Sequence, residues 1–224
     1  MRKNKSDIIQ DLIQRGGGSY SRNLGIDLKS LIPGEVFKWL LASILFGTRI
    51  SEKIAVQTFR VFAREGVASP KTILDRGWDG LVQILDEGGY ARYNFKTATK
   101  LLDVVQALQM EYNGDLNLLH EASKDNDDLE TRLQSLAKGI GPVTVNIFLR
   151  ELRGIWEKAD PLPGDLCVEA ARGIGLLSRN LVSKKKILGE LKDLWKTHGL
   201  PGMDFTDFEA ALVRQGIESR RKKR

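Results

Sequence analysis

The sequence predicts an all-α protein. Apolar residues recur at a helical period in nearly every patterned segment, and no alternating run is long enough to suggest a strand. The breaks between those segments carry the residues that start and stop helices: Ser, Asp and Pro before, Gly and Asn after.

The elements follow in order. Residues 5–14 put Ile8, Ile9, Leu12 and Ile13 on one face, and the run Arg15-Gly16-Gly17-Gly18-Ser19 breaks the pattern. Pro33-Gly34-Glu35 opens a helix over 36–46 whose apolar side holds Phe37, Leu40, Leu41, Ile44 and Leu45. Gly47-Thr48-Arg49-Ile50 interrupts it, and Ser51 with Glu52 starts a helix to about residue 64. Ser69-Pro70 begins a short helix ending near Arg76, and Gly77-Trp78-Asp79 leads into 81–85. Gly88-Gly89-Tyr90 is a turn before a long amphipathic helix over 95–112. After Asn113-Gly114 the chain turns polar, with a loop expected at 123–128 and a helix at 129–137. Helices at 143–153, 166–174, 184–197 and 206–217 complete the set, with Asp160-Pro161-Leu162-Pro163-Gly164 as a stiff irregular link. The expected organisation is two lobes. A central one spans 50–135, and a discontinuous one joins 1–49 to 136–224.

Composition narrows the function classes. The chain has 224 residues, enough for one large domain or two small lobes with cores of their own. No apolar run approaches the roughly twenty residues a membrane helix needs. The basic start Met1-Arg2-Lys3-Asn4-Lys5 has no apolar signal region after it, so an intracellular setting, cytoplasm or nucleoid, is expected. One cysteine, Cys167, excludes an intrachain disulfide and a four-cysteine iron–sulfur or zinc site. With only His120 and His198, no side-chain metal centre is expected. The net charge of +6 suits a polyanionic partner, although part of it sits in the tail Arg220-Arg221-Lys222-Lys223-Arg224.

The most informative stretch is Leu136-Ala137-Lys138-Gly139-Ile140-Gly141-Pro142-Val143-Thr144-Val145. Two glycines bracket one apolar residue just before a helix. The first N–H groups of that helix have no partners within it and form an anion site that suits phosphate. A tight helix–helix turn uses the same pattern, so the segment alone leaves both readings open. Asp165, at the start of the 166–174 helix, is the candidate catalytic group. A helix-capping Asp would stand at the same position. An ionised carboxylate there would stabilise an oxocarbenium-like sugar as a base departs and orient the attacking water.

Residues 136–145, with Asp165 downstream, resemble the helix–hairpin–helix and catalytic aspartate of the endonuclease III-like DNA glycosylase superfamily. Leu41-Ala42-Ser43-Ile44-Leu45-Phe46-Gly47-Thr48 resembles that superfamily's early helix and wedge loop. Gly88-Gly89-Tyr90-Ala91-Arg92-Tyr93-Asn94-Phe95-Lys96 resembles its glycine–tyrosine–asparagine–lysine helix start, and Tyr112-Asn113-Gly114-Asp115 the end of that helix. The matches run in order over most of residues 35–216.

The resemblance implies a two-lobed helical glycosylase fold. It also implies base excision repair of double-stranded DNA by a monomer that extrudes a damaged or mismatched base into an inter-lobe cleft. Lys138, Gly139, Ile140, Gly141, Val143 and Thr144 would hold the DNA backbone, and Thr48 and Arg49 would wedge the duplex. Trp39, Tyr90, Arg92, Tyr93 and Lys96 are candidates for the base pocket or DNA contacts. A monovalent cation on the hairpin's backbone carbonyls is implied, and no iron–sulfur cluster. Where bifunctional relatives carry a Schiff-base lysine, this chain has Val143 after Pro142, which points to a glycosylase without lyase activity. Gly164, Leu166 and Cys167 replace the valine, threonine and histidine usual around the aspartate. That departure keeps a second reading open, a DNA-binding or lesion-recognition protein that lacks the chemistry. Thr48-Arg49 as a plain connection, the Arg92, Lys96, Lys100 stripe as a solvated face rather than a phosphate contact, and Trp39 and Phe46 as core are the plainer readings of those residues.

Overall fold

The computed structural model describes residues 4–222, so Met1–Lys3 and the tail residues Lys223 and Arg224 lie outside it. Twelve α-helices and one 3₁₀ turn make up the regular structure of the described residues, with no strand among them. They divide into two compact units, residues 24–160 and residues 1–23 with 161–224. In this division 24–49 and 136–160 go with the central helices rather than with the termini.

Packing within the central unit accounts for that assignment. Helix α3 (Pro33–Phe46) is started by Pro33 in its first turn and buries nine of its residues, Val36 to Leu45 apart from Lys38. A helix apolar on nearly every side belongs at the centre of a core. It packs against α4 (Glu52–Arg64), α7 (Leu116–Ala122) and α9 (Pro142–Leu152). The Trp39 indole N–H donates to the Phe148 carbonyl at 3.0 Å, which fixes α9 to α3 at full burial. Residues 24–49 therefore share a core with the hairpin helix.

Helix α5 (Pro70–Glu87) is opened by a capping box, with the Ser69 and Thr72 side chains each serving the other's backbone. It bends at Gly77, whose φ of 69° leaves the helical region, so the break expected at Gly77-Trp78 is real. Helix α6 (Asn94–Tyr112) pairs with α5 along its length. Two details depart from expectation. Residues 116–122 form α7, a helix of seven residues that the sequence reading leaves as polar chain; Asp115 caps it and Leu116 and Leu119 are buried. Helix α8 (Asn126–Ser135) begins earlier than expected because Asp125 caps it by accepting the Asp128 N–H.

The other unit gathers α1 (Lys5–Gly16), α2 (Tyr20–Asn23), α10 (Asp165–Gly173), α11 (Lys184–His198) and α12 (Phe205–Arg221). Ile9, Leu12 and Ile13 of α1 meet Cys167, Ala171, Leu191, Phe208 and Leu212 in one buried cluster. Cys167 is a core side chain there. The N-terminal segment is held by Asp207, whose buried carboxylate accepts the Ser19 N–H at 2.7 Å and the Asp204 N–H at 2.8 Å. No helix is long and apolar enough to cross a membrane among the described residues.

Candidate nucleic-acid interface

The turn between α8 and α9 is built by its glycines. The Ile140 N–H closes on the Ala137 carbonyl at 3.1 Å, and Gly139 between them has φ 94°. Of the turns closed this way, only those with positive φ on the third residue favour glycine there, and Gly139 takes that conformation without steric penalty. Ile140 points inward at 5% exposure and anchors the turn on the core. Lys138 and Gly139 are exposed.

Gly141 caps α9 in an extended conformation, φ −105° and ψ 176°, which any residue adopts. A β-carbon on it would meet no atom within 4 Å. Neither backbone shape nor internal packing therefore calls for glycine at 141, and the approach to the start of α9 is open. Pro142 lacks an N–H, and the Val145 N–H already bonds to the Gly141 carbonyl at 3.1 Å. The Val143 and Thr144 N–H groups are left as the first-turn donors of α9. The Val143 side chain is 64% exposed, while Thr144 is buried.

The loop expected to act as a wedge lies against this helix. Gly47 is so close to α9 that a β-carbon on it would fall 2.2 Å from the Thr144 hydroxyl oxygen. Sequence-distant candidates thus come together: Gly47, Thr48 and Arg49 from the end of α3, and Thr144 from the hairpin helix. The Thr48 hydroxyl donates back to the Ile44 carbonyl at 3.4 Å, a long bond, and the Ile50 N–H bonds to the Thr48 carbonyl at 2.7 Å. Arg49 projects as an exposed cation.

Several candidate residues serve other ends. Trp39 and Tyr90 both have 0% exposure, so neither offers a ring face to a base, and their assignment to a base pocket is corrected to core packing. The Tyr90 hydroxyl donates to the Leu45 carbonyl at 2.8 Å, and burial pushes its pKa up to about 12. The hydroxyls of Thr48 and Thr97 beside it pull the other way more weakly. Tyr90 thereby ties the 88–93 turn to the end of α3, behind the Thr48-Arg49 loop. Tyr93 caps α6 edge-on to Tyr90 and beneath the Arg92 guanidinium, 5.4 Å from its ring centroid. Arg92 precedes that helix, so the expected Arg92, Lys96, Lys100 stripe reduces to Lys96 and Lys100, one turn apart on α6. Lys96 is exposed.

The sequence places Lys100 on a polar stripe that is either a solvated face or, less commonly, a phosphate contact. Its side chain lies along the hairpin, where a β-carbon on Gly139 would be 3.1 Å from its Cε and 3.5 Å from its Nζ. The Ala137 and Gly141 carbonyls each accept one N–H group, and the Lys100 side chain lies beside the turn.

Asp165 belongs to the unit of residues 1–23 and 161–224. It is the first residue of α10, with Gly164 as the cap and no side-chain capping bond, so the capping role considered for it does not hold. Its carboxylate, 76% exposed, pairs with the Lys184 ammonium at 2.8 Å. That hydrogen bond and charge, with Arg220 adding a little, hold its pKa below the usual carboxylate range. Asp165 is ionised at neutral pH. Among the described residues no cluster of His, Cys, Asp and Glu side chains is arranged to hold a metal ion. Comparison of the sequence with protein-family models and with curated proteins produced no match.

Proposed function

We propose that this chain binds double-stranded DNA through the 136–145 hairpin and acts as a DNA glycosylase without lyase activity. The observation that carries the reading is the open start of α9. Gly141 leaves it uncovered with no internal reason to be glycine, the Val143 and Thr144 N–H groups are its first donors, and Lys138 and Arg49 are exposed beside it in the chain and in the packing. A phosphate there accepts backbone hydrogen bonds, and the cations add sequence-independent attraction. The Thr48-Arg49 loop, packed on the same helix through Gly47, is the element that enters the duplex when a base is extruded.

The chemistry falls to Asp165 and water. Water adds to the sugar C1′, the C1′–N bond breaks, and the base leaves with the bonding electron pair and takes up a proton. The ionised carboxylate stabilises positive charge on the sugar ring and orients the water. Val143 has no amine, so no Schiff base forms at the position where bifunctional relatives carry the lysine, and the abasic strand stays intact.

The ion pair with Lys184 favours a second reading, a DNA-binding or lesion-recognition protein without chemistry, because that contact occupies the one carboxylate assigned to it. One experiment separates the two. Duplexes carrying uracil, alkylated, oxidised or mismatched bases are incubated with the protein and then treated with alkali. Strand breaks that disappear in Asp165→Asn support the enzyme. Intact strands on every substrate, with DNA binding retained, leave the binding protein. Absence of any salt-dependent DNA affinity eliminates both.

A further inference from the structure

We infer that Lys100 is a DNA-phosphate ligand of the hairpin, a resident cation set beside the turn from the neighbouring helix α6. The inference rests on the DNA-binding reading above and names a contact that the hairpin motif itself does not contain.

The position of the side chain is the first argument. Lys100 stands in the middle of α6 and is only partly exposed, unlike Lys96 one turn before it. Its last carbons and ammonium run alongside Gly139, occupying the space a side chain at 139 would need. The end of the stem and the ammonium are thereby brought to Gly139, which follows the exposed Lys138 in the chain.

The second argument is the missing counter-charge. Burial alone pushes the Lys100 ammonium's pKa down, and no carboxylate among the described residues acts on it in the opposite direction. Asp103, one turn further along α6, makes no ion pair with it among the described residues. The turn itself, 136–141, contains no acidic residue. A partly desolvated, unpaired cation is costly to keep; the half-exposed Lys38, by contrast, is paired with Glu35. No carboxylate among the described residues plays that part at Lys100, which leaves its ammonium open to an anion from outside. The anion that fits an open helix start, a glycine-lined turn and flanking cations is a backbone phosphate.

The test uses the full chain and a fluorescently labelled duplex, with affinity measured by anisotropy across a salt series. Each phosphate contact contributes about 0.9 to the slope of log affinity against log salt. Lys100→Gln is expected to lower that slope by about 0.9 and to weaken binding several-fold. Lys100→Arg retains the slope, and Lys71→Gln, remote in its own ion pair, leaves it unchanged. A second readout needs no variant: acetylation of lysines in the wild-type protein, mapped by mass spectrometry, is expected to show Lys100 protected once duplex is added. A wild-type slope in Lys100→Gln, or equal Lys100 labelling with and without DNA, overturns the inference while leaving DNA binding in place. A wild-type protein that binds no duplex overturns the DNA-binding reading itself, and this inference with it.

Discussion

Gly47 and Thr144 touch so closely that a β-carbon at 47 would sit 2.2 Å from the Thr144 hydroxyl oxygen and 3.1 Å from its Cβ. The end of α3 is thereby seated directly on the hairpin helix. Gly47→Ala is expected to destabilise the protein by about 1–3 kcal/mol, because a methyl group has to be forced into a filled space. Removing the hydroxyl as well, in Gly47→Ala with Thr144→Ala, relieves the worst contact and is expected to return part of the loss. The four-protein thermal-denaturation cycle checks this. Additive effects of the two changes would show that the contact is not what constrains residue 47.

The hairpin glycines make a sharper pair. Gly139 has φ 94°, and any side chain there meets the Lys100 stem. Gly139→Ala is expected to cost about 1–2 kcal/mol of stability from backbone strain alone. Gly141 has an ordinary extended backbone and empty space on its β-carbon side. Gly141→Ala is expected to melt at or slightly above wild type, since alanine restricts the unfolded chain by about 0.4–1 kcal/mol. Its DNA affinity is nevertheless expected to fall, because the methyl group covers the start of α9. Melting and anisotropy on the same samples decide the matter; Gly141→Ala with undiminished affinity argues against phosphate at that position.

These glycines also mark how far the sequence could be read. Residues 136–145 stood out by spacing alone, and the helices with long apolar faces, α3 and α6, are where the periodicity puts them. Helix α7 is hidden because seven residues hold too few apolar positions to establish a period. The mutual packing of Gly47 and Thr144 is a contact between residues almost a hundred positions apart, and no local pattern encodes it. Tyr90 and Trp39 carry aromatic rings that suit a base as well as a core, and only their burial separates the two roles. Lys100 shows the converse. Its i, i+4 spacing from Lys96 marks a polar face, but which part of that face another segment covers is a tertiary fact. A hint was available in Gly139 itself, since a turn glycine leaves room for a neighbouring side chain.

Asp207 is the fastening of the discontinuous unit. Its carboxylate is fully buried, and both oxygens take backbone N–H groups, from Ser19 and from Asp204, with the Arg22 guanidinium 3.4 Å away. Asp207→Ala removes the acceptor and leaves two N–H groups without it, one on the N-terminal segment and one at the start of α12. A loss of about 2–4 kcal/mol is expected, at roughly 1–3 kcal/mol for each group left unsatisfied less any water that enters. Hydrogen exchange checks where the loss falls: the Ser19 and Asp204 amides are expected to lose protection first. Protection unchanged at Ser19 would mean that other contacts hold the N-terminal segment.

The pair of Asp165 and Lys184 makes a prediction about pH. Lys184 hydrogen-bonds the Asp165 carboxylate and lowers its pKa, so the charged form persists to a pH below the usual carboxylate value near 3.9. The sign follows from linkage. A carboxylate with a depressed folded-state pKa adds stability above the ordinary value and loses it as pH falls through the depressed one. With both partners substantially exposed, at 46% and 76%, that contribution is no more than about 1 kcal/mol. Its larger consequence is for charge: Asp165 is available as an anion over the whole neutral and mildly acidic range. Lys184→Met removes the hydrogen bond and the nearest positive charge, leaving the weaker influence of Arg220, and the midpoint is expected to rise toward the ordinary value. Carbon-detected NMR titration of the Asp165 side chain reads both midpoints without any assay of activity. If base release is also measured, its acidic limb is expected to move upward by the same amount in Lys184→Met. Identical Asp165 midpoints in the two proteins would show that Lys184 does not hold the carboxylate in solution.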